Sequence, residues 1–99
     1  TRADPKRVEA WLLLGSAQLA LQDWARARIT YSTALRLSPG DPEARGGLGV
    51  AMARTHDARA QEQLAWLTAS AQSCGVRCAQ VLKFKGDVEA AIAEASKAQ

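Results

Sequence analysis

The sequence is poor in the residues from which catalytic and metal sites are built. It has one histidine, two cysteines and only five aromatic side chains among 99 residues. A structural zinc site takes about four ligands, so this histidine and two cysteines are too few for one. His56 has no acid or nucleophile at motif spacing, and no nucleophile-elbow or glycine-rich phosphate motif occurs. We therefore expect no metal, no cofactor and no enzymatic activity.

Two further absences narrow the class of partner. No run of 18 apolar residues occurs, so this segment is not expected to insert into a membrane. The basic residues are scattered, without a basic run or the aromatic platform that single-stranded nucleic-acid binders use. The net charge of +3 is a mild excess that weakly favours an acidic partner. A protein or peptide is the expected partner, with self-association as a further expectation.

The sequence instead has an internal repeat. Thirty-four residues separate Pro5 from Pro39, and the same step joins Leu14 to Leu48, and Asp23 to Asp57. A fixed step over this many identities is typical of a helical-repeat protein. Fewer residues match at this step along the second unit, which has Arg45 where the first unit has Trp11.

Large and small residues alternate at helical spacing in the first unit, at Trp11, Leu14, Gly15, Ala27, Tyr31, Ala34 and Pro39, and this pattern resembles the tetratricopeptide repeat. Only the first aromatic of that pattern is missing, where Gln18 stands. Small residues at a helix crossing let two antiparallel helices approach within about 8–10 Å. The residues predicted to pack the repeats together are Trp11, Leu14, Gly15, Ala27, Tyr31, Ala34, Pro39, Leu48 and Gly49.

The resemblance implies an all-α fold of the helical-hairpin solenoid type, in one domain. We expect about six antiparallel helices, with repeat 1 over about 8–41, repeat 2 over about 42–75 and a degenerate capping unit over about 76–99. Asp41-Pro42 predicts a helix start, and Asp23, Asp57 and Asp87 are each predicted to cap a second helix. Gly86 is expected to supply the last turn. We interpret the chain as the C-terminal part of a bacterial array with a further repeat upstream.

Gly46 and Gly47 are unusual inside the predicted third helix, because each costs about 1 kcal/mol there relative to alanine. They predict either a weak first turn or a place where a neighbouring group comes close.

Cys74 and Cys78 leave three interpretations open: a disulfide, two reduced apolar cysteines, and a catalytic dithiol. Residues four apart on a regular helix are about 5–6 Å apart at Cβ, whereas a disulfide needs about 3.5–4.5 Å. Gly75 between them provides the non-helical residue that a bond requires, so we favour a disulfide over two reduced apolar cysteines. A bond implies an oxidising compartment, and hence a periplasmic or exported protein rather than a cytoplasmic one. A catalytic dithiol is a minor alternative, since redox pairs usually have two intervening residues and here there are three.

In the family that the repeat resembles, the first helices of successive hairpins line a groove that binds a peptide. The resemblance implies a non-catalytic interaction scaffold, or alternatively a periplasmic assembly factor for cytochrome c maturation or an envelope complex. Carried over by position, the groove residues are Glu9, Leu12, Ser16, Leu19, Glu43, Val50, Arg54, Gln80 and Lys83, with Gly46, Ala53 and Phe84 on the same face.

Overall fold

A computed structural model describes residues 5–97, which form five α-helices joined by short turns. The helices are α1 (Pro5–Ala20), α2 (Trp24–Leu37), α3 (Pro42–Arg54), α4 (Ala60–Ser70) and α5 (Cys78–Lys97), with a 3-10 turn at Gly75–Arg77. The predicted all-helical class is confirmed for these residues, among which no strand occurs. The expectation of about six helices is not confirmed, because within residues 5–97 the last unit contributes one α-helix instead of two.

Two helix starts form as their sequences predict. The Asp23 side chain caps α2 by accepting a hydrogen bond from the backbone N–H of Arg26 at 3.3 Å. The Asp41 side chain caps α3 by accepting from two backbone N–H groups of the first turn, and Pro42 occupies the first helical position. These contacts satisfy donors that a helix start otherwise leaves unpaired.

The turn that closes each first helix is also repeated. Gln22 and His56 stand one 34-residue step apart, and both have left-handed backbones, with φ of 61° and 57°. Such a residue is a common way to end an α-helix. The prediction that Asp57, the next residue, caps the second helix is wrong: its side chain accepts a hydrogen bond from the Arg59 N–H, but α4 begins only at Ala60 and has no side-chain cap. The first helices of the two hairpins therefore end with the same backbone geometry, although the second helices begin differently.

Helix α3 lies at the centre of the packing and contacts the other four α-helices. Ala44 and Ala51 in α3, and Ala27 and Ala34 in α2, have no exposed surface. Small residues at these positions let the helix axes approach closely. The shortest extent of the described chain is 19 Å, which is about two helix diameters of ~10 Å. The core therefore lies between helices that are themselves partly exposed.

The prediction for the last unit is wrong in its details. We expected a turn at Gly86 and a helix cap at Asp87 within this unit. Instead α5 runs without interruption from Cys78 to Lys97. Gly86 is exposed with open space around it, so it costs the helix only about 1 kcal/mol.

Burial along α5 explains why the helix continues. Val81, Val88 and Ala91 lie on one stripe and are each at most 4% exposed. A break at Gly86 would separate the first of these from the other two. Two ion pairs, each 3.0 Å long, also bridge the Gly86 turn, from Lys83 to Asp87 and from Lys85 to Glu89. Buried area and paired charges together outweigh the low helix propensity of one glycine.

Candidate functional site

A groove forms where three non-consecutive helices and one side chain of α2 meet. We call it the α1–α3–α5 groove and define it by the ten residues that line it. Helix α1 contributes Ser16 and Leu19, α2 contributes Tyr31, and α5 contributes Lys83, Phe84 and Asp87. Helix α3 contributes Glu43, Gly46, Gly47 and Val50. The groove has a volume of about 360 Å³, which accommodates side chains of a partner segment rather than a folded domain.

Two glycines shape the floor of the groove. A Cβ atom on Gly47 would overlap the Tyr31 ring, and one on Gly46 would lie 2.6 Å from Cβ of Phe84. Real Cβ atoms do not approach other atoms so closely, so only glycine admits these rings. Gly46 and Gly47 are therefore places of close approach, which was one of the two alternatives that the sequence left open.

On the α5 side of the groove, the positive charge of Lys83 is already paired within its own helix. The Lys83 Nζ atom lies 3.0 Å from Oδ2 of Asp87 and 4.7 Å from the centre of the Phe84 ring. The ion pair and the cation–π contact both hold the ammonium group on its own helix. Asp87, which we expected to cap a helix, instead lies in the groove wall.

Burial perturbs two acidic groups in the groove. Burial raises the pKa of Glu43, and the charges of Asp41 and Glu9 raise it further, against a lowering effect of Lys83. Burial also raises the pKa of Tyr31 to about 12, with a second contribution from the charge of Glu43. A carboxylate and a phenol hydroxyl thus share a partly dehydrated part of the groove.

Of the nine residues predicted to form the groove, the structure brings five into it, namely Ser16, Leu19, Glu43, Val50 and Lys83. Gly46 and Phe84, predicted on the same face, also line it, whereas Ala53 is buried in the core.

The other four residues lie elsewhere. Glu9 is exposed beside the groove, where its charge reaches Glu43, and Gln80 is exposed but does not line the groove. Leu12 is 7% exposed and belongs to the core, because with Val8 it faces the inside of the bundle. The Arg54 guanidinium lies 5.3 Å from the centre of the Trp24 ring, which holds it at the end of α3.

Residues 1–42 match the family model of the tetratricopeptide repeat. The chain carries a tetratricopeptide repeat. Neither the curated proteins nor the solved structures gave a match to this chain. Tetratricopeptide repeats generally mediate protein–protein interactions and are typically non-catalytic.

The matched repeat accounts for the packing around Tyr31. A Cβ atom built on Gly15 would lie 2.7 Å from the Tyr31 ring, so this ring fits between Gly15 and Gly47. It therefore joins both helices of the repeat to the first helix of the next unit. Ala27 and Ala34, predicted to pack beside it, are fully buried.

The tetratricopeptide repeat departs from its usual pattern at Gln18, and the structure gives the reason. The Thr30 hydroxyl donates a hydrogen bond to Oε1 of Gln18 at 2.6 Å, and Thr30 is 4% exposed. A buried polar group needs such a partner, so the two residues form a matched pair across the hairpin. The signal in the sequence was a polar residue at a position that is normally aromatic.

Arg45 provides a second substitute contact, at the position equivalent to Trp11. Its guanidinium lies 4.9 Å from the centre of the Trp66 ring and donates to Oε1 of Gln63 at 3.2 Å. An arginine thus takes the place of the tryptophan and stacks on another tryptophan from α4. Sequence spacing did not identify this pairing, because Trp66 lies outside the repeat pattern.

The outer face of α1 differs from the equivalent face of α3. Leu13 and Leu14 are 73% and 45% exposed, whereas Leu48, one step after Leu14, is 4% exposed. Gly47, one step after Leu13, is covered by Tyr31. Leu14 was predicted to pack between repeats, and the structure places it at the surface because no described helix lies over it. Pro39, another predicted packing residue, is exposed in its turn.

The sulfur atoms of Cys74 and Cys78 lie at disulfide distance, with the Cα atoms 4.9 Å apart. Gly75 between them has φ of +57°, a left-handed conformation that glycine adopts without strain. The pair brings the turn that follows α4 next to the first residue of α5. Among the residues that the structure describes, no group of three or more His, Cys, Asp or Glu could hold a metal ion. None of the helices within residues 5–97 is long and apolar enough to cross a bilayer.

Proposed function

We propose that the protein is a non-catalytic interaction scaffold whose α1–α3–α5 groove binds a segment of a protein partner. The observation that carries this proposal is the groove itself, in which three helices and Tyr31 place apolar and charged side chains around one volume. Helices α1, α3 and α5 follow one another along it, and α3 contacts both of the others. This succession supports an arrangement of hairpins like that of a solenoid.

Binding in the groove combines apolar contact with a few polar contacts. Leu19, Val50 and Phe84 offer apolar surface, and the Tyr31 hydroxyl and the Glu43 carboxylate offer hydrogen-bonding groups. A segment in extended or helical form would bury its side chains here, and the polar groups would fix its register.

A neutral bulky substitution in the groove tests this proposal. Ser16 is exposed and lines the groove, so Ser16→Phe should fill it without changing the charge. Ser32 on α2 is also exposed but lies outside the groove, so Ser32→Phe is the matched control. Peptides selected on the unmodified protein from a random phage-displayed library should bind Ser32→Phe and lose binding to Ser16→Phe. Equal binding to both variants would place the peptide site elsewhere.

As a second candidate we propose an exported assembly factor, which holds a client subunit such as an apocytochrome or a part of an envelope complex. The Cys74–Cys78 disulfide supports it, because such bonds persist in oxidising compartments. In an extract of the native cell prepared without reductant, both cysteines should resist alkylation. Complete alkylation of both thiols would contradict an oxidising compartment and remove this candidate.

A further inference from the structure

The charge of the groove is opposite to the charge of the chain. The whole chain has a net charge of +3. Within the groove, however, Glu43 and Asp87 accompany a single cation, Lys83, and the carboxylate of Glu9 lies close enough to act on Glu43. Most of the positive charge therefore lies outside the groove, and the net charge of the chain does not indicate what the groove attracts.

Of the two carboxylates that line the groove, Asp87 is paired, whereas Glu43 has no side-chain partner among the described residues. The structure gives its side chain neither a hydrogen bond nor an ion pair with any side chain that it describes. Lys83, the cation that acts on it, is paired with Asp87 at 3.0 Å. The surroundings of Glu43 disfavour its negative charge, because burial and two neighbouring carboxylates raise the pKa of Glu43. A partly dehydrated, unpaired carboxylate is stabilised by a cation brought to it.

We propose that the groove selects a partner segment that carries a lysine or arginine, whose cation pairs with Glu43. This inference rests on the proposed function, because it names the chemistry of the segment that the groove would bind. Leu19, Val50 and Phe84 would contact the aliphatic stem of that side chain and the apolar residues around it. Lysine and arginine suit such a site, since they bury their stems against apolar surface and keep the charge at the tip.

Charge also determines that the groove prefers a basic segment over an acidic one. The carboxylates of Glu9 and Asp87 repel an acidic side chain and attract a basic one over several ångströms. An acidic segment would have to rely on Lys83, which would first leave Asp87. The mild positive charge of the whole chain had favoured an acidic partner, and the groove geometry reverses that expectation.

Three capped peptides that differ only at their central residue test the proposal. The central residue is lysine, norleucine or glutamate, flanked on both sides by leucine and alanine, and binding is followed by NMR through the backbone amides of Glu43, Gly46 and Lys83. The lysine peptide should bind about fivefold more tightly than the norleucine peptide, as for a partly exposed ion pair. The glutamate peptide should bind most weakly. Added salt should reduce lysine binding and leave norleucine binding unchanged.

Two substitutions, each of which removes one negative charge, complete the test. Glu43→Gln should lower lysine binding to the level of norleucine, whereas Glu62→Gln, at an exposed position on α4, should leave the preference intact. Equal binding of lysine and norleucine in the groove, or a preference for glutamate, would overturn the inference and leave the proposed function standing. The inference would also be overturned if none of the three designed peptides shifted the groove amides while peptides selected from the library did bind in the groove. A preference that survives in Glu43→Gln would show that Glu43 is not the partner of the cation.

Discussion

The ring of Tyr31 occupies the space that a side chain at Gly47 would need. Tyr31 is 2% exposed and belongs to the second helix of the first hairpin, while Gly47 belongs to the first helix of the next. The contact thus fixes the distance between two units and, because both residues also line the groove, its depth. A residue with low helix propensity is retained here for the close approach that it allows.

Replacing this glycine should destabilise the fold, although alanine is the better helix former. Gly47→Ala places a methyl group against the Tyr31 ring, and overpacking of this kind costs about 1–3 kcal/mol. Gly86→Ala is the matched control, because Gly86 is helical, exposed and has open space around it. It should stabilise the protein by about 1 kcal/mol. Urea unfolding of the two variants measures both changes, and a stabilised Gly47→Ala variant would contradict the close contact.

Leucines that are equivalent in the repeat should differ in their contribution to stability. Leu48→Ala removes a side chain that is 4% exposed and should cost about 2–5 kcal/mol. Leu14→Ala, one step earlier, removes a side chain that is 45% exposed and should cost about 1 kcal/mol or less. Chemical denaturation of the two variants gives the comparison. Similar losses would mean that the α1 face is covered in solution, for example by self-association, which sedimentation of each variant would reveal.

Local signals in the sequence predicted two of the helix starts, because capping depends on a few adjacent residues. Asp23 and Asp41 cap α2 and α3 through their own first turns, as predicted. Asp87 and Gly86 offered the same local signal, yet they lie inside α5. In α5, packing against distant parts of the chain decides that the helix continues, because Val81 and Val88 must face the same core. A capping residue shows where a helix is able to begin, and distant packing decides whether it does.

The residues of the groove were likewise predictable only in part, because some of their positions depend on contacts with distant parts of the chain. Repeat spacing identified Glu43 and Val50, because position in the repeat determines which way a helix face points. It also assigned Leu12 and Arg54 to the groove, whereas Leu12 is buried and Arg54 stacks on Trp24. Those two outcomes depend on which neighbour a side chain meets, and sequence spacing does not contain that information.

Reducing the disulfide should lower stability without unfolding the helices of the first hairpin. The Cys74–Cys78 bond closes a very short loop, so the chain-entropy model predicts a loss of about 2 kcal/mol. Thermal unfolding with and without reductant measures this loss. The Cys74→Ser, Cys78→Ser double variant is the control, since its melting temperature should match the reduced protein and not respond to reductant. A melting temperature that is unchanged by complete reduction would show that the bond does not support the junction of α4 and α5.

Asp57 should make the protein sensitive to acid within a defined range of pH. Hydrogen bonds from the Arg59 side chain and backbone, together with the charges of Arg59 and Arg28, lower the pKa of Asp57 to about 2. The Arg28 guanidinium reaches it from α2 at 2.9 Å, so the contact joins the two hairpins. The unfolded chain has an aspartate pKa of about 3.9. Stability from this group is therefore complete above about pH 4 and is lost as the pH falls through about 2.

Asp57→Asn should remove this part of the pH dependence. The free energy of unfolding of the variant should change less between pH 4 and pH 2 than that of the unmodified protein, as measured by urea unfolding at a series of pH values. Arg28→Gln should give an intermediate slope, because it removes one of the two cations and leaves Arg59 in place. Parallel curves for the unmodified protein and Asp57→Asn would show that another carboxylate governs the acid response. A slope in Arg28→Gln equal to that of the unmodified protein would show that Arg59 alone lowers the pKa of Asp57.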